Sequence, residues 1–318
     1  MFENPHLWPI LAGLGVGFAL VAAVWALIWR SWAKLKRRWT WTIVAGLLGA
    51  FYLVNVDAWL IEPESLVVRR VEIVSPLWHG PALTIAALGD THVGGPHVDA
   101  ARMGRVVARI NALRPDLVVL LGDYVHGHPP QSARTPEENQ EILGGVATFA
   151  ALDARYGAVA VLGNHDGWYN REAITSALED AGVAALWNRN VVIHRAGGAI
   201  VLAGLADAWT GQPDYAAALD GAPAGADVIV LAHNPDLFAD MPSGPALMLA
   251  AHTHCGQVAL PFIGRLELPI QHKEYACGRI DQHGQTLFVT AGLGTSIIPV
   301  RFGSPPEIAL VTIRGEKN

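Results

Sequence analysis

The chain has 318 residues, of which 52% are hydrophobic and 16% charged, and its formal net charge is -6. A soluble domain carries about 25% charged residues, so this deficit points to membrane segments or a very apolar interior, and nothing in the acidic balance suggests a nucleic-acid partner. Two cysteines, Cys255 and Cys277, exclude thiolate zinc clusters and iron–sulfur centres, which need about four.

Residues 9–29 carry no charge. At 1.5 Å per residue they can cross a hydrocarbon core of ~30 Å. Trp8, Trp25, Trp29 and Trp32 gather near the ends of this stretch, as interfacial aromatics do. A second uncharged run, 39–56, is flanked by Trp39, Trp41 and Trp59, which predicts a second span over about 39–59. Between them lies a basic loop, 30–38, with Arg30, Lys34, Lys36, Arg37 and Arg38. By the positive-inside rule that loop is cytoplasmic. The expectation is a transmembrane hairpin over residues 1–61 in the cytoplasmic membrane, with the rest of the chain on the extracytoplasmic side. Two belted uncharged stretches argue against a pair of buried core helices. Arg37-Arg38 before an apolar run also reads as a twin-arginine export signal. The apolar segment upstream argues against that, and both readings put the remainder outside.

Residues 62–82 read as a linker with short strand-like runs at 67–68 and 71–74. From 83 a regular pattern begins. An apolar run at 83–88 stops at Gly89-Asp90. Apolar positions 103, 106, 107, 110 and 113 give helical periodicity over 98–113. A strand at 117–121 stops at Gly122-Asp123, a helix covers 135–152, and a strand at 158–162 stops at Gly163-Asn164. A helix over 171–181 is closed by Gly182. After residue 190 the pattern turns strand-rich, at 191–194, 199–203, 228–232, 247–250, 287–290 and 308–313. This predicts an α/β domain over 83–318 with a buried sheet, flanking helices and a second sheet.

Five apolar strands end in polar clusters: Asp90-Thr91-His92, Gly122-Asp123-Tyr124, Asn164-His165-Asp166, His233-Asn234 and His252-Thr253-His254. Loops at the carboxyl ends of α/β strands converge on ligands. The donors are carboxylate or amide oxygen and imidazole nitrogen, which suits Mn, Fe or Zn. Asp90 and His92, and likewise His252 and His254, are two apart, so at a strand end both members of a pair point to one side. Asp123 has two oxygens and can bridge two ions, and Gly122 lets the backbone approach closely. Any one such cluster is more often a turn or a cap than a ligand. Five in this order would require five unrelated accidents.

This series resembles the calcineurin-like metallophosphoesterases, from about residue 83 to the end. Ile61-Glu62-Pro63, Cys255-Gly256-Gln257, Pro299-Val300-Arg301-Phe302 and Pro305-Pro306-Glu307 further resemble its membrane-associated or exported bacterial phosphodiesterases. The resemblance implies a four-layer α-β-β-α sandwich, here preceded by the two-helix transmembrane hairpin, and two divalent metal ions. One ion would take Asp90, His92, Asp123 and His254; the other Asp123, Asn164, His233 and His252, with Asp123 as the bridge. A bridging hydroxide would attack phosphorus. His165 resembles the histidine that binds phosphate and assists the leaving group, oriented by Asp166. Three departures stand out: Gly89 where Ser is common, Ala251 where Gly is common before His252, and Cys255 where Gly is frequent.

Among the remaining candidates, His126 and Arg301, with His128 beside them, are expected at the substrate, and Trp168 and Tyr169 near the rim. Cys255 and Cys277 read equally as a disulfide or as two buried thiols. No G-x-S-x-G elbow or Walker loop is present in the sequence. The function expected is phosphodiester hydrolysis at the outer membrane face, on a phosphate ester that is lipid-linked or otherwise held at the membrane surface. A phosphomonoesterase with the same site and a non-catalytic tethered binding protein are the alternatives.

Overall fold

The computed structural model describes residues 7–31 and 38–316. Lys34, Lys36 and Arg37 of the expected basic loop lie outside the described residues, as does the side chain of Arg38. Among the described residues two helices are long and apolar enough to cross a membrane. These are α1 (Trp8–Ser31) and α2 (Arg38–Val56). They pair through a hydrogen bond from the Tyr52 hydroxyl to the Leu14 carbonyl (3.1 Å) and a Phe18–Tyr52 ring contact. Phe18, Leu20, Leu27, Leu47, Phe51 and Leu53 all point away from protein. That much bare apolar surface is costly in water and not in lipid. Helical backbone continues past α2 as a π-helical stretch, Asp57–Ile61, and a 3₁₀ turn, Glu62–Glu64.

Two six-stranded sheets follow. The first runs β1 (Val67–Val74), β14 (Glu307–Arg314), β2 (Leu83–Leu88), β3 (Leu117–Leu120), β4 (Ala158–Ala160), β5 (Ala184–Ala185). The second, in spatial order, runs β12 (Gly278–Gln282), β13 (Gln285–Val289), β9 (Leu247–Ala250), β8 (Asp227–Leu231), β7 (Gly198–Gly204), β6 (Arg189–Arg195). A short hairpin, β10 (Ala259–Leu260) and β11 (Gly264–Arg265), stands apart. The segment expected to be a linker contributes one continuous edge strand, β1, parallel to β14 from Val67 opposite Glu307 to Val74 opposite Arg314. Arg69, Arg70 and Glu72 interrupt its apolar run, as suits a sheet edge. Strand β14, expected with the second sheet, inserts instead into the first, antiparallel to β2.

Strand alternation divides the interior into layers. Ala86 and Leu88 of β2 face helices α3 (Ala100–Leu113), α4 (Pro136–Ala147) and α5 (Asn164–Asp180), burying Met103, Val106, Ile110, Ile142 and Ile174. Ile85 and Ala87 face the second sheet and pack with Leu202, Leu231, Leu249 and Phe288. The outer face of the second sheet is covered by the short helix α6 (Tyr215–Leu219) and by 3₁₀ turns that carry Phe238 and Tyr275. The result is the four-layer sandwich, with one thin outer layer. Asp99 caps α3 by accepting from the Arg102 amide, and Thr135 and Glu138 form a reciprocal capping box on α4. Cys255 and Cys277 form a disulfide.

Candidate metal centre

The carboxyl ends of β2, β3, β4, β8 and β9 meet between the sheets. Asp90, His92, Asp123, Asn164, His233, His252 and His254 are all buried there. Five of the seven hold left-handed backbone: Asp90 (φ 50°), His92 (46°), Asp123 (55°), His252 (71°) and His254 (51°). Each such residue costs about 1–3 kcal/mol and persists only where its surroundings over-determine it. Here the Asp90 amide donates to the Gly122 carbonyl (2.9 Å), the His92 amide to Asp123 (3.0 Å) and the Gly294 amide to Asp90 (2.7 Å). Asp90 and His92 therefore converge through paired left-handed residues and not through strand pleating, which is where the alternation argument departs from the structure.

The side chains are aimed by their far ends. His92 donates Nδ1–H to the Val125 carbonyl (3.1 Å), and His233 donates Nδ1–H to Leu121 (2.8 Å), so both present Nε2 inward. His252 is reversed: Nε2–H goes to the Pro269 carbonyl (3.2 Å) and Nδ1 faces inward. Fixing the outer nitrogen sets tautomer and ring direction, as metal sites require. Inside, His92 Nε2 lies 3.1 Å from His254 Nε2, and His233 Nε2 lies 3.2 Å from both Asp123 Oδ2 and His252 Nδ1. Ligand atoms of Asp90, His92 and His254 fall within 4.8 Å of one another, and so do those of Asp123, His233 and His252. Asp90 Oδ2 and Asn164 Oδ1 are buried with no hydrogen-bond partner among the described residues. An orphaned buried oxygen costs about 1–3 kcal/mol, and a divalent cation would remove that cost. The residues present therefore fit a metal.

Electrostatics divide the donor set. Burial raises Asp90 to about 7. Burial alone would lower His233, but Asp123 and Asp90 outweigh it and raise that imidazole to about 10, so a cation bound there must displace protons. Burial pushes the imidazoles of His92 and His254 well below their ordinary range and brings His252 down to about 3, which keeps them neutral with a free lone pair. Burial alone would raise Asp123, but the His233 imidazole, 3.2 Å from its Oδ2, outweighs it and holds the carboxyl well below the usual carboxylate range. Close approach is built in as well. A Cβ on Gly163 would fall on the Asp123 carboxylate, and one on Gly122 (φ 88°) would lie 2.5 Å from the Gly163 amide. The two departures at 89 and 251 are one feature: a Cβ on Gly89 would sit 2.6 Å from the Ala251 Cβ. The methyl carried by Ala251 fills the space that Gly89 leaves open.

Three expected roles change. Asp166 does not touch the His165 ring. Its carboxylate accepts the backbone amides of Asp123 (2.8 Å), Tyr124 (2.8 Å) and Gly163 (2.9 Å), so it clamps the Asp123 loop to the first turn of α5. His165 is oriented by the Gly127 carbonyl, which accepts its Nδ1–H at 2.9 Å; its Nε2 points inward, 3.9 Å from Asp123 Oδ2. Arg301, expected at substrate phosphate, is wholly buried behind His254. Its guanidinium is spent on the carbonyls of Ala291, Gly294 and Ser304. His126 stacks edge-on to His92, while His128 lines the open cavity.

That cavity, of about 500 Å³, opens over Asp123, Asn164, His165 and His252 and is walled by Trp168, Trp209, Leu266, Ile297 and Ile298. Trp209 meets His252 edge-on at 4.6 Å. It is placed by Asp207, whose Oδ2 accepts the amides of Trp209 (3.0 Å) and Thr210 (2.8 Å). Sequence reasoning missed both residues. The signal was present, since the apolar run of β7 extends through Leu205-Ala206 and stops at Asp207, like the other strand ends.

The sequence model of the calcineurin-like phosphoesterase family matches residues 83–256, which include all seven buried ligand candidates. The chain is 29% identical to the uncharacterized metallophosphoesterase YkuE of Bacillus subtilis, over 80% of this chain and 87% of that one. It is 31% identical to the phosphodiesterase YaeI of Escherichia coli, over 63% of this chain and 71% of that one. A transmembrane protein with a metallophosphoesterase domain from Danio rerio is 27% identical over 86% of this chain, which spans 61% of that longer relative.

Proposed function

The chain belongs to the calcineurin-like phosphoesterases and hydrolyses phosphate esters, and from that premise we propose that it cleaves phosphodiesters at a two-metal centre on the extracytoplasmic face of the cytoplasmic membrane. The observation that carries this reading is the pair of ligand triads Asp90–His92–His254 and Asp123–His233–His252, linked by a third that groups His92 and His165 with Asp123, together with the orphaned oxygens of Asp90 and Asn164. Asp90, His92, His254 and Asp123 would hold one divalent ion, and Asp123, Asn164, His233 and His252 the other. When bound, such ions supply Lewis acidity and a water acidified to a pKa near ~7.

The chain's own groups do the rest. Asp166 and Gly127 fix Asp123 and His165 before substrate arrives, so little reorganisation is needed during reaction. Burial keeps His165 neutral in the resting site. An arriving phosphate anion favours its imidazolium, whose Nε2–H then faces the leaving oxygen. His128 and Trp168, each 5.0 Å from the His165 ring, limit its swing.

Diester chemistry is favoured because the cavity extends well past the ligand cluster, leaving room for a second ester group, and because the Escherichia coli relative is named a phosphodiesterase. The disulfide supports an oxidising, extracytoplasmic compartment. The test is hydrolysis by the Mn²⁺-loaded full chain of a generic diester and a generic monoester. Metal-dependent turnover with diester preferred is expected; monoester preference overturns the diester reading. Protease added outside intact spheroplasts should cut the domain, and complete protection would place it on the wrong side.

A further inference from the structure

Two loops at the cavity mouth carry bulky apolar side chains in positions where turns normally carry Gly, Asn or Asp. Phe262, at the tip of the β10–β11 hairpin, is fully exposed, and Ile263 and Leu266 beside it are exposed by 71% and 60%. In the second loop Ile297 is 84% exposed, next to Ile298. Phe262 (φ 66°) and Ile297 (φ 64°) also hold left-handed backbone, an outlier for aromatic and β-branched residues. Neither side chain is needed by the protein's own core.

Both loops are wired to the chain that leaves α2. Gln257 bridges them: its Oε1 accepts the Ser296 amide (2.8 Å) and its Nε2 donates to the Ile298 carbonyl (2.7 Å). The Ala259 amide donates to the Phe302 carbonyl (2.7 Å), and the Arg301 amide donates to the Ala58 carbonyl (2.9 Å). Glu62 accepts the amides of Gly303 (2.9 Å) and Ser304 (2.6 Å). The segment itself is held by Arg102, which donates to the Pro63 carbonyl (2.6 Å) and pairs with Glu64 (2.9 Å). The loops are thus one hydrogen-bonded layer from residues 58–62, the first turns beyond a helix whose 19 residues span about 28 Å.

We propose that the Phe262–Ile263 tip and the Ile297–Ile298 loop dip into the lipid leaflet that carries the end of α2, and that the site draws a lipid phosphate ester from that leaflet. The substrate class rests on the phosphoesterase reading above; the insertion does not. The occupant is lipid because the patch continues from a membrane-spanning helix through a rigid joint. The cavity matches an amphiphile lying across it, with carboxylate and imidazole groups at its inner end and Leu266, Ile297 and Ile298 at its mouth.

Two measurements on the full chain in phosphatidylcholine nanodiscs test the two parts. First, Phe262→Cys, labelled with a polarity-sensitive fluorophore while the native disulfide stays intact, should be quenched by doxyl-labelled lipid and shielded from aqueous iodide. Quenching by iodide alone overturns insertion, as does a patch whose loss changes only the oligomeric state. Second, with Mn²⁺ present, dodecyl 4-nitrophenyl phosphate should exceed methyl 4-nitrophenyl phosphate in kcat/KM by about 100-fold. Phe262→Asn/Ile263→Asn, with asparagine suited to left-handed backbone, should cut that ratio at least tenfold and leave the methyl ester rate unchanged. Equal rates for both esters overturn the lipid substrate. Absence of any hydrolysis in the presence of Mn²⁺ sinks the phosphoesterase reading instead, with the quenching result still standing alone.

Discussion

The inner end of the cavity and its mouth are built on opposite plans. At the inner end every candidate ligand is buried, and the imidazoles of His92, His233 and His252 are each tied to a carbonyl on the outer side. Strained backbone there is held by many bonds. At the mouth Phe262 and Ile297 are equally strained, yet exposed. On the proposed reading the strain serves different partners in the two places: a fixed geometry for a small hard ligand inside, and adhesive surface for a large soft one outside.

The comparison breaks most sharply on metal. Stripping divalent ions with a chelator should lower diester turnover by ~10³-fold or more, with activity returning on Mn²⁺ addition; turnover that survives chelation would remove the inner end from the chemistry. His165→Ala should slow turnover by about 10²–10³-fold and leave metal content intact. Asp166→Ala should behave differently, because it strands two backbone amides of the Asp123 loop and that of Gly163. Thermal unfolding should show a loss of about 3 kcal/mol or more, with metal lost alongside. Identical behaviour of the two variants would restore Asp166 as a partner of His165.

Smaller effects sharpen the picture. Gly89→Ser alone should cost about 1–3 kcal/mol by crowding Ala251, and Ala251→Gly in the same chain should recover most of it. Additive losses in denaturant melts would show that the two positions are independent. Trp209→Ala should raise KM by roughly 2–10-fold through lost stacking, with kcat and metal content nearly unchanged.

Much of this was legible in the chain itself. Buried parallel strands read as short apolar runs, and each stops at a polar cluster, so β2, β3, β4, β8 and β9 announce both themselves and the candidate ligands. What stayed hidden was non-local. Strand β1 is broken by Arg69-Arg70 in sequence and is completed only by β14, some 240 residues away. Arg301 in a glycine-containing loop reads as an anion binder, and nothing local says that three backbone carbonyl groups already occupy it. The family resemblance implies that Asp166 orients His165, whereas its carboxylate accepts backbone amides at another strand end and at Gly163. Asn164 to Asp166 form the first turn of α5 and not a loop, because Gly163 and the Asp166 carboxylate cap the helix at that point.

The account depends on Asp123 serving two ions at once. Metal-to-protein ratio after Mn²⁺ loading and desalting is the direct test. Two ions per chain in the unaltered protein and fewer than one in Asp123→Ala is the predicted result. A single ion in the unaltered protein, or two retained in the variant, would contradict it.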